Sequence, residues 1–167
     1  MIFLLIVLYF TTNEVELSLT YWLYNEGDFG KSGGFVNGNY HSAQSRKTRQ
    51  NAVEESNRLI LHPSTGQYFI SVRTNNIIDF SKYNTLYVER QNLASTAEYA
   101  TPFIALIKNA DDYMYETHLL LYEPPQLQPS EKKLEVIDIT SVNESGYINF
   151  STENGRYGAI YKVYLTK

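Results

Sequence analysis

The sequence contains no cysteine. That absence removes a disulfide framework, a thiolate nucleophile and any cysteine-ligated metal site, and it leaves the redox compartment open. Basic residues are also scarce: 14 lysines and arginines stand against 18 acidic residues, a net charge of −4. A general grip on nucleic acid needs clustered cations that displace counterions from phosphates, so nucleic acid is not expected as a partner. Proline and glycine number only 5 and 9 in 167 residues, which argues against a low-complexity or disordered chain. Long apolar runs are missing too. Met1 to Phe10 is almost wholly apolar, but Thr11, Thr12, Asn13 and Glu14 end the run well short of the ~20 residues that cross a bilayer as a helix. The same run lacks the basic start and the small-residue cleavage site of a secretory signal. Its β-branched and aromatic side chains suit a strand or a piece of a longer chain, with an atypical signal or an anchor as the other readings. We therefore take 1–14 as an N-terminal strand or leader, 15–167 as one domain, and expect no membrane span.

What is present points to pleated sheet. The chain carries 15 tyrosines and 8 phenylalanines within a hydrophobic fraction of 43%. Such rings favour half-buried strands, where the ring packs and the phenol reaches water. Period-two patterning or short apolar runs mark Val15–Tyr24, Arg58–His62, Gly66–Thr74, Thr85–Gln91 and Thr101–Lys108 as strands. The same signals return at Tyr113–Tyr122, Leu134–Ile139, Gly146–Ser151 and Tyr157–Thr166. Between them lie turn formers such as Asn25-Glu26-Gly27-Asp28, Asn109-Ala110-Asp111-Asp112, Pro124-Pro125 and Asn143-Glu144-Ser145-Gly146. Ser42 to Asn57 is polar and reads as a long surface loop with room for one helical turn. No long segment keeps an apolar face at helical spacing, so a parallel sheet with crossover helices is not expected. The fold class expected is all-β, an antiparallel two-sheet β-sandwich of the jelly-roll kind.

Chemistry-bearing constellations are few. His41, His62 and His118 stand far apart, with no pair at metal-ligand spacing. No Gly-x-Ser-x-Gly elbow occurs, and Gly30-Lys31-Ser32 lacks the upstream glycine of a phosphate loop. Paired carboxylates exist, but they fall in turns and strand ends, where solvation or backbone capping is their ordinary role. An enzyme is not expected. Binding is the positive expectation, because exposed tyrosine or tryptophan rings stack on sugar faces while flanking amides and carboxylates bond the hydroxyls. Trp22, Tyr24, Tyr40, Tyr113 and Tyr115 are the candidate rings, although Trp22, between apolar neighbours, reads better as a ring that fills the core or an edge. Tyr113 and Tyr115 are preferred as sharers of one strand face beside Asp111 and Asp112. The turn oxygens of Asn25, Glu26 and Asp28 are the candidate ligands should calcium bind; no other cofactor is expected.

Three segments carry a likeness to known proteins. Thr74-Asn75-Asn76-Ile77-Ile78-Asp79-Phe80-Ser81-Lys82-Tyr83-Asn84-Thr85-Leu86-Tyr87-Val88 is the longest. Trp22-Leu23-Tyr24-Asn25-Glu26-Gly27-Asp28 with Gly33-Gly34-Phe35 opens the pattern, and Asp138-Ile139-Thr140-Ser141-Val142, Gly146-Tyr147-Ile148 and Ile160–Leu165 close it. Together they resemble β-sandwich domains of bacteriophage tail and minor structural proteins from phages of Gram-positive hosts, over about Leu19 to Lys167. The resemblance implies a galactose-binding-like jelly roll on a virion, used in assembly or host-surface attachment, with other virion proteins or its own copies as partners. A carbohydrate-binding module of a secreted or cell-surface protein is the alternative. Apart from ancestry, Asp79 and Ser81 are placed to set a turn above Ile77 or Ile78, Phe80 and Tyr83.

Overall fold

The structure is a computed structural model that describes residues 20–38, 52–55, 57–61, 69–95, 103–114, 116–153 and 157–167. The expected segment 1–14 and the ring of Tyr40 lie outside the described residues. In chain order the strands are β1 (Tyr21–Asn25), β2 (Phe35–Asn37), β3 (Ala52–Glu55), β4 (Arg58–Leu61), β5 (Phe69–Thr74) and β6 (Ile78–Asp79). They continue with β7 (Thr85–Asn92), β8 (Phe103–Ile107), β9 (His118–Tyr122), β10 (Lys132–Asp138), β11 (Ser145–Glu153) and β12 (Gly158–Thr166). Among the described residues no helix is long and apolar enough to cross a membrane.

The strands form two six-stranded sheets. The front sheet runs β10-β7-β12-β4-β3, with β1 pairing the other half of the β12 edge that β4 occupies. The back sheet runs β2-β5-β11-β8-β9, with β6 also on β11. Every pairing is antiparallel. The expected two-sheet sandwich is therefore the fold, and the reason is visible in β7. Leu86, Val88, Arg90 and Asn92 are buried while Thr85, Tyr87, Glu89 and Gln91 alternate with them on the other face. Leu86, Val88 and Val163 of the front sheet meet Ile70, Ile104 and Phe150 of the back sheet in one core.

The two outer faces differ. On the back sheet the outward side chains of β8 are covered: Phe103, Ala105, Ile107 and Met114 form a second buried cluster, with Leu121 and Tyr147 against it. On the front sheet the outer face stays open. Three of the four exposed large hydrophobics, Trp22, Leu134 and Val136, lie on it. The fourth, Ile77, is exposed, and Ile78 and Phe80 fill the core beneath the Asp79 turn.

Two sequence expectations need correction. Ser42–Asn57 reads as a long surface loop with room for one helical turn, yet Ala52–Glu55 is an edge strand whose ladder runs Ala52 to Leu61 through Glu55 to Arg58. A short edge strand, paired on one side only among the described residues, has no need of the apolar alternation that marks a central one. Tyr113–Tyr122 was expected to be one strand, yet β9 begins at His118. The preceding residues close a tight loop instead, in which Thr117 N donates to Tyr113 O at 3.0 Å and Tyr113 N donates to Thr117 Oγ1 at 3.0 Å. A local hydroxyl acceptor competes with the ladder for that backbone donor.

Turn carboxylates tie the fold to pH. Ser81 donates to Asp79 at 2.6 Å and Lys82 lies 3.0 Å away, and these hold the Asp79 carboxyl below its usual range. Thr140 N and Oγ1 donate to Asp138 at 2.9 and 2.7 Å with the same effect. A carboxyl whose folded pKa is depressed contributes stability above its unfolded pKa, about 3.9, and loses it as pH falls through the folded value. The melting temperature should therefore drop below about pH 4, and part of that drop should vanish in an Asp79→Asn, Asp138→Asn variant.

Candidate functional site

The front sheet's outer face is built by register. Trp22 of β1 sits opposite Tyr164 of β12, Tyr164 opposite Tyr87 of β7, and Tyr87 opposite Val136 of β10. Four strands thus contribute one side chain each to a single row. The Tyr87 and Tyr164 rings stack, 4.6 Å apart at 5°, and Trp22 leans on Tyr164 at 4.6 Å and 41°. Trp22 ends the row at the β1 edge with 38% of its surface exposed. Burial, and then the neighbouring Tyr87, raise the Tyr164 phenol above its ordinary pKa, so it remains a hydrogen-bond donor at neutral and mildly alkaline pH.

Two β-bulges make this face possible. In β1 the register shifts between Trp22 and Tyr24, so Leu23 and Tyr24 are both fully buried while Trp22 faces out. In β12 the shift between Ile160 and Lys162 lets Tyr161 and Lys162 both turn outward. Gly30 locks the first arrangement: at φ 45° it packs on the backbone of Trp22, whose carbonyl oxygen a Cβ there would meet at 2.7 Å.

Charged and amide groups border the rings. Lys162 Nζ lies 3.4 Å from Glu26 and 3.7 Å from Glu89, and Lys132 Nζ lies 3.0 Å from Glu89. The Glu89 charge is the main cause raising the Lys162 ammonium above its ordinary pKa. Lys132 also sits over the Tyr161 ring, 3.8 Å from its centroid. Tyr161 donates to Gln91 Oε1 at 2.6 Å and accepts from Arg58 Nη1 at 3.2 Å, a bond that raises the Arg58 pKa. Aromatic surface flanked by fixed donors and acceptors suits a ligand with both apolar faces and hydroxyl edges.

Among the described residues, Trp22 is the one sequence-chosen ring on this face, and Glu26 borders it through Lys162. Trp22 is on this face, whereas Tyr24 is fully buried and packs edge-on against Phe35 at 5.8 Å. Asp111, Asp112 and Tyr113 lie together in the loop between β8 and β9, which closes over the back sheet through Met114. There Asp112 accepts from Asn109 N at 2.7 Å, a self-contained turn, and Arg73 Nε donates to Ala110 O at 3.2 Å. Tyr115, like Tyr40, lies outside the described residues. Tyr87 and Tyr164 alternate with buried neighbours, a pattern readable in the sequence, but the outward turn of Tyr161 at the bulge and the meeting of the rings across strands are not.

Asn25, Glu26 and Asp28 form the tight turn after β1, closed by Asn25 N to Asp28 O at 2.8 Å and Asp28 N to Asn25 O at 3.0 Å. Glu26 at φ 46° and Gly27 at φ 100° give it the positive backbone angles of a hairpin turn. Its carboxylates already have partners: Gly30 N donates to Asp28 Oδ1 at 2.9 Å, and Glu26 faces Lys162. Among the described residues no group of three or more His, Asp and Glu side chains converges as a metal site would require. Asp28 Oδ1 and Glu26 Oε1 hold these contacts, so a calcium ion at this turn would take the second oxygen of each carboxylate; EDTA should then lower the melting temperature, and an unchanged value removes the site.

Fold and face together define the class: a two-sheet antiparallel β-sandwich with one covered and one open, ring-bearing outer face. No known family's sequence profile matches the chain, and no curated protein sequence matches it. Among solved structures it is similar to a family 29 carbohydrate-binding module, at TM-score 0.53 and 15% identity over 88% of this chain and 91% of that one. A cleaved adhesin domain of Lys-gingipain from Porphyromonas gingivalis gives TM-score 0.47 and 11% identity, over 82% of this chain and 93% of that one. A family 51 carbohydrate-binding module from Clostridium perfringens, solved with methyl-galactose, gives 0.36 and 10%, over 88% and 99%. At 15% identity the first likeness establishes the jelly-roll fold and nothing finer.

Proposed function

We propose that this domain is a non-catalytic carbohydrate-binding module of a secreted or cell-surface protein, and that it binds glycan on the outer face of its front sheet. The Trp22–Tyr164–Tyr87 row carries the reading. A sugar ring has an apolar face that packs on aromatic surface and hydroxyls that exchange hydrogen bonds with groups such as Lys162, Glu26 and Gln91. The fold likeness to a family 29 carbohydrate-binding module supports the scaffold for such a site.

The test is affinity electrophoresis through gels containing soluble polysaccharides. At least one polysaccharide should retard the wild-type chain, and Tyr164→Ala should remove most of that retardation while Tyr113→Ala leaves it intact. The opposite pattern would move the site to the loop after β8, and no retardation across a broad panel would refute the reading. The virion setting rests on the resemblance of 74–88 and its flanking motifs alone; tail genes on both sides of the coding sequence would favour it.

A further inference from the structure

Strand β10 ends the front sheet. It pairs with β7 along its whole length, Lys132 to Gln91 through Asp138 to Thr85, and among the described residues it has no second neighbour. Asn92 N donates to Glu131 O at 3.0 Å and Ile139 N to Asn84 O at 2.9 Å, and these bonds fix the alternation of the ladder. The odd-numbered residues of β10 bond to β7. The even ones, Lys132, Leu134, Val136 and Asp138, direct their backbone N–H and C=O groups to the free edge. The same four carry the exposed side chains of the strand's outer face. Leu134 and Val136 are 42% and 58% exposed. An edge with free backbone groups and an apolar centre is a template for another strand.

The four outward residues run cation, apolar, apolar, anion, so a reversed copy of the strand sets opposite charges across from each other and apolar against apolar. When two such strands meet antiparallel about a two-fold axis at Glu135, Lys132 faces Asp138 of the second copy and Leu134 faces its Val136. Each of the four then sits in a hydrogen-bonded pair, and each cross-strand contact is favourable. Two Glu135 side chains meet on the inner face at the axis, and each is already neutralised by its own Arg90, at 2.5 Å. We propose that the chain forms a two-fold dimer through β10, joining two front sheets into one continuous sheet. The partner is a second copy because the complementarity is to the strand itself. Edge pairing leaves the outer faces open, so both aromatic rows would lie on one side of the joined sheet. The inference does not depend on what those rows bind.

Sedimentation velocity of the full chain over a concentration series tests it. The average mass should climb from 19.3 kDa towards twice that value. Leu134→Lys, at an exposed position, should weaken association at least about tenfold. Lys132→Asp and Asp138→Lys each place like charges opposite one another and should be monomeric alone. An equimolar mixture of those two variants should dimerise, because every facing pair is then of opposite sign. A wild-type chain that stays monomeric overturns the proposal, as does a dimer that survives Leu134→Lys or a mixture that fails to associate.

Discussion

Replacing Glu135 by alanine should lower the unfolding free energy by about 3–5 kcal/mol, because it strands a buried cation. Arg90 is fully buried and Glu135 is 2% exposed. Arg90 Nε and Nη2 donate to Glu135 Oε1 at 2.9 and 2.5 Å, Tyr122 OH donates to Oε2 at 2.8 Å, and Lys133 lies 3.5 Å away. The cluster joins the layers, since Tyr122 belongs to the back sheet and Arg90 and Glu135 to the front. It also clasps the proline-rich segment that crosses between them. Arg90 Nη2 donates to Pro125 O at 2.6 Å, Asn92 Nδ2 to Leu127 O at 2.9 Å and Gln91 Nε2 to Ser130 O at 3.0 Å. These carbonyls have no ladder partner in an irregular segment, and successive β7 side chains supply one. Burial first, and then the bond to Glu135, push the Tyr122 phenol above its ordinary pKa. Glu135→Gln, which keeps an acceptor, should lose less than Glu135→Ala. A double change, Arg90→Met with Glu135→Leu, should lose less again, since an apolar pair of similar volume carries no desolvation cost. Urea denaturation of the three variants separates these outcomes. A loss under about 1 kcal/mol in Glu135→Ala would show that the cluster does not hold the layers.

Trp22→Ala should weaken binding of the responsive glycan about thirtyfold or more, the ~2 kcal/mol expected of an aromatic anchor. Its effect on stability should be small, because the ring is 38% exposed and its strand is anchored by the buried Leu23 and Tyr24. Trp22→Phe, retaining a flat face, should recover part of the loss. Isothermal titration calorimetry with an oligosaccharide of the retarding polymer reads both. Unchanged affinity in Trp22→Ala would remove the exposed end of the row from the site. The Glu135 variants report on what holds the front sheet in place, and the Trp22 variants on what its outer face does.

Much of the architecture was legible along the chain because strand burial has a period of two. Thr85–Asn92 alternates without exception, and the Asn25–Asp28 turn ends β1 where its residue types demand. Ala52–Glu55 was not legible, because the four residues Ala-Val-Glu-Glu of a short edge strand show no period of two. Tyr113–Thr117 misled because its aromatic residues look like a strand until Thr117 captures the Tyr113 backbone.

The candidate face shows where local pattern stops. Trp22, Tyr87, Val136 and Tyr164 lie in four separate segments of the sequence, and only the pairing order β1-β12-β7-β10 makes them neighbours. Two bulges then set which of Trp22, Leu23 and Tyr24, and which of Ile160, Tyr161 and Lys162, turn outward. A one-residue shift reverses facing, and nothing in five or ten residues announces it. By itself the sequence determined an all-β chain without cysteine and with a net charge of −4, because composition and period are local quantities. Which face is open, and which rings share it, only the tertiary structure decided, because strand order and register are agreements between residues far apart in the chain.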